Sequence, residues 1–331
     1  MASRQPQEQP GGAPPRPSGP IRIGVSACLV GQKVRYDSGH KRDPFVADRL
    51  AEHFELVPVC PEVAVGLGTP REPVRLTGAA DAPRAIGTRT PSLDVTDILA
   101  GYGRRMAAEL GDISGYVFKS RSPSCGMERV KVHGEAGQSP RRGRGIYAAE
   151  LMRARPLLPC EEEGRLNDPG LRENFIGRVL AFRRWQDLLA GGVSAERLVD
   201  FHTAHKLILM AHGREPLRRL GRLVADAGQR PPQALADEYG PAFMQALARR
   251  ATRRRHSDVL YHLLGYLKRK LDAGDKAEMV DLIEDYRLGR VPLIVPITLL
   301  RHHFRVHPDP YVERQLYLHW APAGLSLWNA I

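Results

Sequence analysis

Little in this chain of 331 residues marks it for a membrane or for secretion. No apolar run approaches the roughly 18–20 residues that a membrane-spanning helix needs. The N-terminus has no apolar segment of the kind that directs export. A cytoplasmic protein without a membrane partner is expected. Cysteine is scarce as well: Cys28, Cys60, Cys125 and Cys160 lie far apart and share no repeated spacing. That excludes a disulfide framework, and a cytosolic redox poise leaves the thiols free to bind metal. The absence of any C-x-x-C pair argues against a zinc ribbon, and the absence of a C-x3-C-x2-C run argues against radical chemistry. Aromatic residues make up 6% of the chain against 42% hydrophobic overall, which favours aliphatic helix packing over a β-sandwich.

Positive charge is plentiful. A formal net charge of +12 favours a polyanionic partner, and nucleic acid is preferred to an acidic membrane because no amphipathic anchor stands out. The length favours two domains. Residues 1–20 are rich in Pro, Gly and Gln with almost nothing to bury, so a disordered tail is expected. From Ile21 the pattern changes. "IRIGVSACLV", "FELVPVC" and "ISGYVFKS" are short apolar runs suited to buried parallel strands. Helical segments alternate with them: "DPFVADRLAEHF", with Asp43 as N-cap and Pro44 at the first position, "SLDVTDILAGYGRRMAAEL", and "GRGIYAAELMRARP" leading to a strand in "LLPCEEE". The expected fold of residues 21–165 is α/β, a small open and mostly parallel, Rossmann-like sheet. Residues 166–331 read as an all-α C-terminal domain, including one long helical stretch from Pro232 to Ala273.

In open α/β sheets ligands collect beyond the carboxyl ends of the strands. Cys28 and Cys60 end the first two strands, and Cys125 follows the third after a Lys-Ser-Arg-Ser-Pro-Ser turn. Three thiols sharing one crevice suit a metal site that keeps one position open; the competing explanation is that they are small buried core residues. Cys160 reads as a packing residue in a strand interior, with a fourth-ligand role as the alternative. Glu62, two residues after Cys60, is a candidate to activate water, or else a partner for Arg71. Ser122 is a candidate to hydrogen-bond a substrate or relay a proton, or else a turn former. Asp37, His40, Lys41 and Arg42 form a polar loop able to close over the crevice, or else one that serves only its own hydrogen bonding. Gly66, Gly68 and Arg71 offer close backbone approach and a grip on phosphate or a carbonyl, in a spacing that is no Walker or dinucleotide fingerprint.

Basic residues cluster in two places. Lys131, Arg141, Arg142 and Arg144 are expected on a glycine-rich loop near the crevice. Arg253, Arg254, Arg255 and Lys268, Arg269, Lys270 bracket an apolar stripe of Val259, Leu260, Leu263 and Leu267. Both groups are candidates for RNA contact, against ordinary solvated charge. His202, His205 and His212, and the pair His302 and His303, lack a carboxylate partner in the pattern and read as structural or RNA-contacting rather than as metal ligands.

The blocks "SACLVGQKVRYDSGHKRD", "PVCPEVAVGLGTPREPVRL" and "KSRSPSCG" resemble the signature blocks of the TudS-type thiouracil desulfidases. Residues from about Phe201 to Pro322, with "FHTAHKLILMAHG", "SDVLYHLLGYLKRKL" and "DLIEDYRLGRVPLIVPITLLRHH", resemble the YbgA-like helical domain fused behind such domains. The combination is similar to RudS-type enzymes acting on 4-thiouridine in tRNA. This resemblance implies a 4Fe-4S cluster held by Cys28, Cys60 and Cys125 with one open iron. It also implies catalytic roles for Glu62 and Ser122, a thiolated pyrimidine substrate, and tRNA as partner of the helical part. Salvage of free thiouracil or a thionucleotide by the same chemistry is the alternative. A non-catalytic RNA-binding iron–sulfur sensor is the second.

Overall fold

The structure is a computed structural model that describes residues 19–134 and 141–319. All of the expected N-terminal tail except Gly19 and Pro20 lies outside the described residues. Contacts divide the chain into two compact units, one from Gly19 to Arg183 and one from Arg184 onward.

In the first unit the elements run β1 (Arg22–Ser26), β2 (Glu55–Val59), α1 (Pro61–Ala64), β3 (Val74–Gly78), β4 (Pro83–Gly87), α2 (Thr96–Glu109), β5 (Gly115–Phe118), β6 (Val130–His133), β7 (Arg141–Gly143), α3 (Ile146–Ala154) and β8 (Cys160–Glu162). Strands β2-β1-β5-β8 form a parallel sheet in that order. Its central strands are the apolar runs of the sequence, and Ile23, Val25, Tyr116, Val117 and Phe118 are all completely buried. Burial on both faces explains why these strands read as continuous rather than alternating apolar segments. Asp43 behaves as the sequence suggests, its carboxylate accepting from the Val46 N–H at 3.0 Å to start the helical turn Phe45–Leu50.

The sequence pattern does not reveal the second sheet, ordered β4-β3-β6-β7 and mixed in direction. Its apolar face, with Leu76, Ala85, Val130 and Val132, packs with Val95, Leu99 and Ile146 into one cluster against α2 and α3. This corrects the expectation of a glycine-rich loop. Lys131 lies on β6, Arg141 and Arg142 lie on β7, antiparallel to it, and only Arg144 follows the strand.

Helix α4 (Pro169–Ala190) ends in the second unit, which continues with α5 (Ala195–His212), α6 (Arg214–Ala225), α7 (Pro232–Ala248), α8 (Arg253–Tyr266), α9 (Ala273–Arg287), α10 (Ile294–Val306) and α11 (Pro310–Glu313). The expected continuous stretch from Pro232 to Ala273 is instead broken. Arg249 turns extended, and the Thr252 hydroxyl accepts from the Arg255 N–H to begin a new helix. Ser194 and Asp272 cap α5 and α9 in the same way. The stripe Val259, Leu260, Leu263 and Leu267 is fully buried, as its spacing requires. The fold class is thus α/β with a small open parallel sheet, followed by an all-helical part. Among the described residues no helix is long and apolar enough to cross a membrane.

Candidate active site: a cleft lined by three thiols

The strand order places the site. β1 continues to β2 on one side, while β5 and β8 lie on the other, so the connections diverge between β1 and β5. A crevice opens at the carboxyl ends where this happens. Cys28 sits in the short turn Ala27–Val30 after β1, Cys60 directly after β2 as the residue capping α1, and Cys125 in the loop after β5. All three line one cleft of about 340 Å³, together with Glu62, Ser122, Lys41, Lys119 and Arg121. Cys160 lines no part of it. It is buried at the start of β8, opposite Tyr116.

Burial raises every one of these thiols. Cys28 is pushed up to about 11 by desolvation, with Lys119 pulling the other way. Cys60 is raised, and Cys125 is raised well above the ordinary range by desolvation and then by the Glu62 charge, opposed by a hydrogen bond from Ser26. Buried thiols of this kind stay protonated until a metal displaces the proton. Among the described residues no three His, Cys, Asp or Glu side chains are grouped to hold a single ion. The donor set nevertheless fits a polynuclear iron–sulfur group: all-thiol, convergent on one cleft, and soft. Cys160 is pushed up to about 12 by desolvation, against the pull of Arg178 and Arg155.

The loop carrying Cys125 is clamped at both ends. At its start the Glu163 carboxylate accepts from the Ser120 N–H at 2.8 Å and the Ser120 hydroxyl at 2.7 Å, and pairs with the Lys119 ammonium. At its end the Glu162 carboxylate accepts from the N–H groups of Met127 and Glu128 at 2.9 and 3.3 Å, while burial raises its pKa. Glu161 pairs with Arg165 at 2.6 Å. Three consecutive acids are therefore all buried and all partnered. Behind the loop stands the start of α3, where Gly145, Ile146 and Ala148 donate to the carbonyls of Gly126, Pro123 and Ser124 at 2.8, 3.0 and 3.0 Å. Glycine is required there, since a Cβ on Gly145 would lie 2.6 Å from the Ser124 carbonyl. Arg121, in the same loop, has φ of 60°, a left-handed conformation that non-glycine residues adopt at a cost.

Glu62 is held from two sides. Arg71 grips Oε2 through Nε at 2.9 Å and through Nη2, while its Nη1 donates to the carbonyls of Val34 and Gly68, both at 2.9 Å. The Ser124 hydroxyl donates to Oε1 at 2.7 Å. Ser122 accepts from the N–H groups of Ser124 and Cys125 at 3.3 and 3.1 Å, as a turn former does, which leaves its own proton available to the cleft. Of the polar loop, Asp37 accepts from the Gly39 N–H, His40 Nδ1 accepts from the Arg42 N–H, and Arg42 pairs with Asp48; Lys41 alone of the four lines the cleft. Gly66 and Gly68 take φ of 88° and 69° in the turn leading to Arg71. Sequence reasoning missed Ser124, Glu162, Glu163 and Gly145. None of them has a local signature, because each acts on a segment distant in the chain.

The basic residues are placed as follows. Lys131, Arg141, Arg142 and Arg144 are exposed on or beside the β6-β7 pair. Arg253, Arg254, Lys268 and Arg269 are exposed at the two ends of α8. Arg255 donates to the His212 carbonyl at 3.2 Å, and Lys270 donates to the Pro308 carbonyl at 3.0 Å. His202 Nδ1 meets the Tyr239 hydroxyl at 3.0 Å and His205 Nδ1 meets the Phe201 carbonyl at 2.7 Å, both deep in the helical core. His212 Nδ1 meets the Arg249 carbonyl, and Arg305 reaches His302 Nδ1 at 3.1 Å, while His303 is buried.

Comparison with known proteins matches this division. Residues 23–163 match the family described as 2-thiouracil desulfurase, and residues 206–322 match a family described as a protein of unknown function, DUF1722. The uncharacterized protein YbgA of Escherichia coli K12 is 31% identical over 158 residues, covering 47% of this chain and 92% of that protein. The uncharacterized protein YbbK of Bacillus subtilis 168 is 31% identical over 150 residues, covering 44% of this chain and 97% of that protein. A solved structure titled [4Fe-4S]-dependent thiouracil desulfidase TudS is 32% identical, covers 46% of this chain and 97% of its own, and superposes with a TM-score of 0.37. The chain belongs to the 2-thiouracil desulfurase family, with a YbgA-like DUF1722 region fused behind that domain.

Proposed function

We propose that the protein is an iron–sulfur-dependent desulfidase that converts 4-thiouridine in tRNA to uridine, with the desulfidase chemistry in residues 21–165 and tRNA binding assisted by residues 166–331. The observation that carries this reading is the meeting of Cys28, Cys60 and Cys125 with Glu62 in a single cleft of a chain from this family. Cys28, Cys60 and Cys125 would hold a 4Fe-4S cluster, which when bound supplies a Lewis-acidic iron without a protein ligand to polarise the thiocarbonyl sulfur. Cys160, outside the cleft, is left as a packing residue.

Replacing C=S by C=O forms one carbon–oxygen bond from water, breaks the carbon–sulfur bond, and releases hydrosulfide with no net electron transfer. Glu62 is the group to take the water proton. Arg71 occupies Oε2 and Ser124 donates to Oε1, so the carboxylate is fixed while a lone pair on Oε1 remains to accept. The free proton of Ser122 suits donation to the pyrimidine. Lys119, held by Glu163, stands beside Cys28 and favours the thiolate there, where anionic ligands and the departing sulfur both benefit from it.

The net charge of +12 and the exposed Lys131, Arg141, Arg142, Arg144, Arg253, Arg254, Lys268 and Arg269 support a polynucleotide substrate over a free base. Salvage of free thiouracil is the second reading, favoured by a cleft whose volume suits a small molecule. Sulfide release from thiolated tRNA and from free thiouracil, measured on anaerobically reconstituted protein, separates them. Strong preference for tRNA is expected; equal rates on both would turn the protein over to salvage, and release from neither would leave the sensor reading.

A further inference from the structure

The arginines along α6 take part in neither the thiol cleft nor the basic clusters already named. Arg214, Arg218 and Arg222 recur every fourth residue and so form one row along the helix, with Arg219 beside it. All are exposed. Arg214 pairs with Asp258 of α8 at 3.5 Å, and no described residue satisfies Arg218, Arg219 or Arg222. Asp258 lies four residues after Arg254, hence one turn further along the same face of α8. The row on α6 therefore meets the basic start of α8 at that acid, with the exposed Glu215 beside it in the first turn of α6. His212 at the α5-α6 corner fixes this junction, meeting the Arg249 carbonyl while its own carbonyl accepts from Arg255.

Several features decide what such a band fits. The apolar side of α6 is committed to the core, with Leu220 buried and Leu217 and Val224 half-buried, so the helix has nothing to insert into a lipid surface. None of the exposed large apolar side chains lies on α6, so the anchor that a protein interface uses is missing. The cations are all arginine, whose planar fork binds phosphate oxygens in pairs and stacks on bases. A row of guanidinium groups in which Arg218, Arg219 and Arg222 have no ion pair among the described residues matches an extended strand of phosphates.

We propose that the arginine band along α6 and onto the start of α8 is an RNA-backbone-binding surface. It rests on the tRNA reading above and names where in the helical unit that contact is made. The test is the salt dependence of binding of unmodified tRNA to the full-length protein, to Arg218→Gln/Arg219→Gln/Arg222→Gln, and to the control Arg287→Gln/Arg290→Gln/Arg314→Gln. The control removes the same charge from arginines already paired with Glu284, Asp285 and Asp200. The α6 variant is expected to bind at least tenfold more weakly near physiological salt, with a log–log salt slope shallower by roughly two to three, while the control changes far less. Equal losses in the two variants would reduce the effect to net charge and overturn the surface. Intact tRNA binding by the α6 variant would overturn it as well while leaving the tRNA reading standing. Failure of the unaltered protein to bind tRNA would overturn the reading itself, and binding of polyglutamate in place of tRNA would reassign the band to an acidic protein. All these species have exposed substitutions, and circular dichroism checks that each is folded.

Discussion

Replacing Ser124 by alanine removes one oxygen from a fully buried position and with it the hydroxyl that, among the described residues, donates to Oε1 of Glu62 at 2.7 Å. Arg71 remains on Oε2, so the carboxylate stays paired, yet it gains freedom to pivot about that grip. A hydrogen bond to a charged group contributes about 1.5–3 kcal/mol, and the folded protein should lose on that order of stability. If Glu62 is the base, the lost orientation acts on the chemical step. A cost of about 1.4–2.7 kcal/mol there is a ten- to hundredfold fall in kcat, with KM little changed because Ser124 itself lines no part of the cleft. Sulfide release gives kcat and KM, and the visible absorbance of the reconstituted protein reports whether the cofactor is retained. A variant that keeps its colour and its full kcat would show that the orientation of Glu62 does not limit the reaction.

Other parts of the structure make further demands. Gly145→Ala drives a methyl group into the Ser124 carbonyl at 2.6 Å, so the Cys125 loop must shift; about 1–3 kcal/mol of stability and part of the iron loading should be lost, and normal loading and melting would refute the clamp. Desolvation lowers the pKa of His202 to about 4 and of His205 to about 3, so both are neutral in the fold where an unfolded chain takes a proton below about 6.5. The unfolded state then binds more protons as pH falls from 6.5, and stability present at neutral pH is lost. Between pH 7 and pH 5 the helical unit should lose on the order of 2 kcal/mol for each histidine, seen as a lower urea midpoint. A midpoint that does not move would contradict their burial.

The parallel sheet was legible because burial on both faces writes each strand as an unbroken apolar run, as in "RIGVS" and "GYVF". The second sheet was not, because its strands are short and interleave arginine or lysine with small apolar residues: "VRLTG", "PRAIG", "VKVH" and "RRG" look like loop. Only tertiary packing on α2 and α3 makes them strands. In the cleft, Cys28, Cys60, Cys125 and Glu62 announce themselves by position at strand ends, whereas Ser124 becomes visible only once a residue distant in sequence is brought to 2.7 Å. Glu161, Glu162 and Glu163 were legible only as part of the strand in "LLPCEEE", because nothing local tells that Arg165, the Met127 and Glu128 amides, and Lys119 will arrive to satisfy them.

In the proposed function a cofactor is held by Cys28, Cys60 and Cys125 and by no other thiol. The iron and acid-labile sulfide content of anaerobically reconstituted protein, beside its four single Cys→Ser variants, tests this. A full 4Fe-4S complement is expected in the unaltered chain and in Cys160→Ser, and loss of bound iron in Cys28→Ser, Cys60→Ser and Cys125→Ser. Iron retained in full by any of those three, or lost with Cys160 alone, would contradict it.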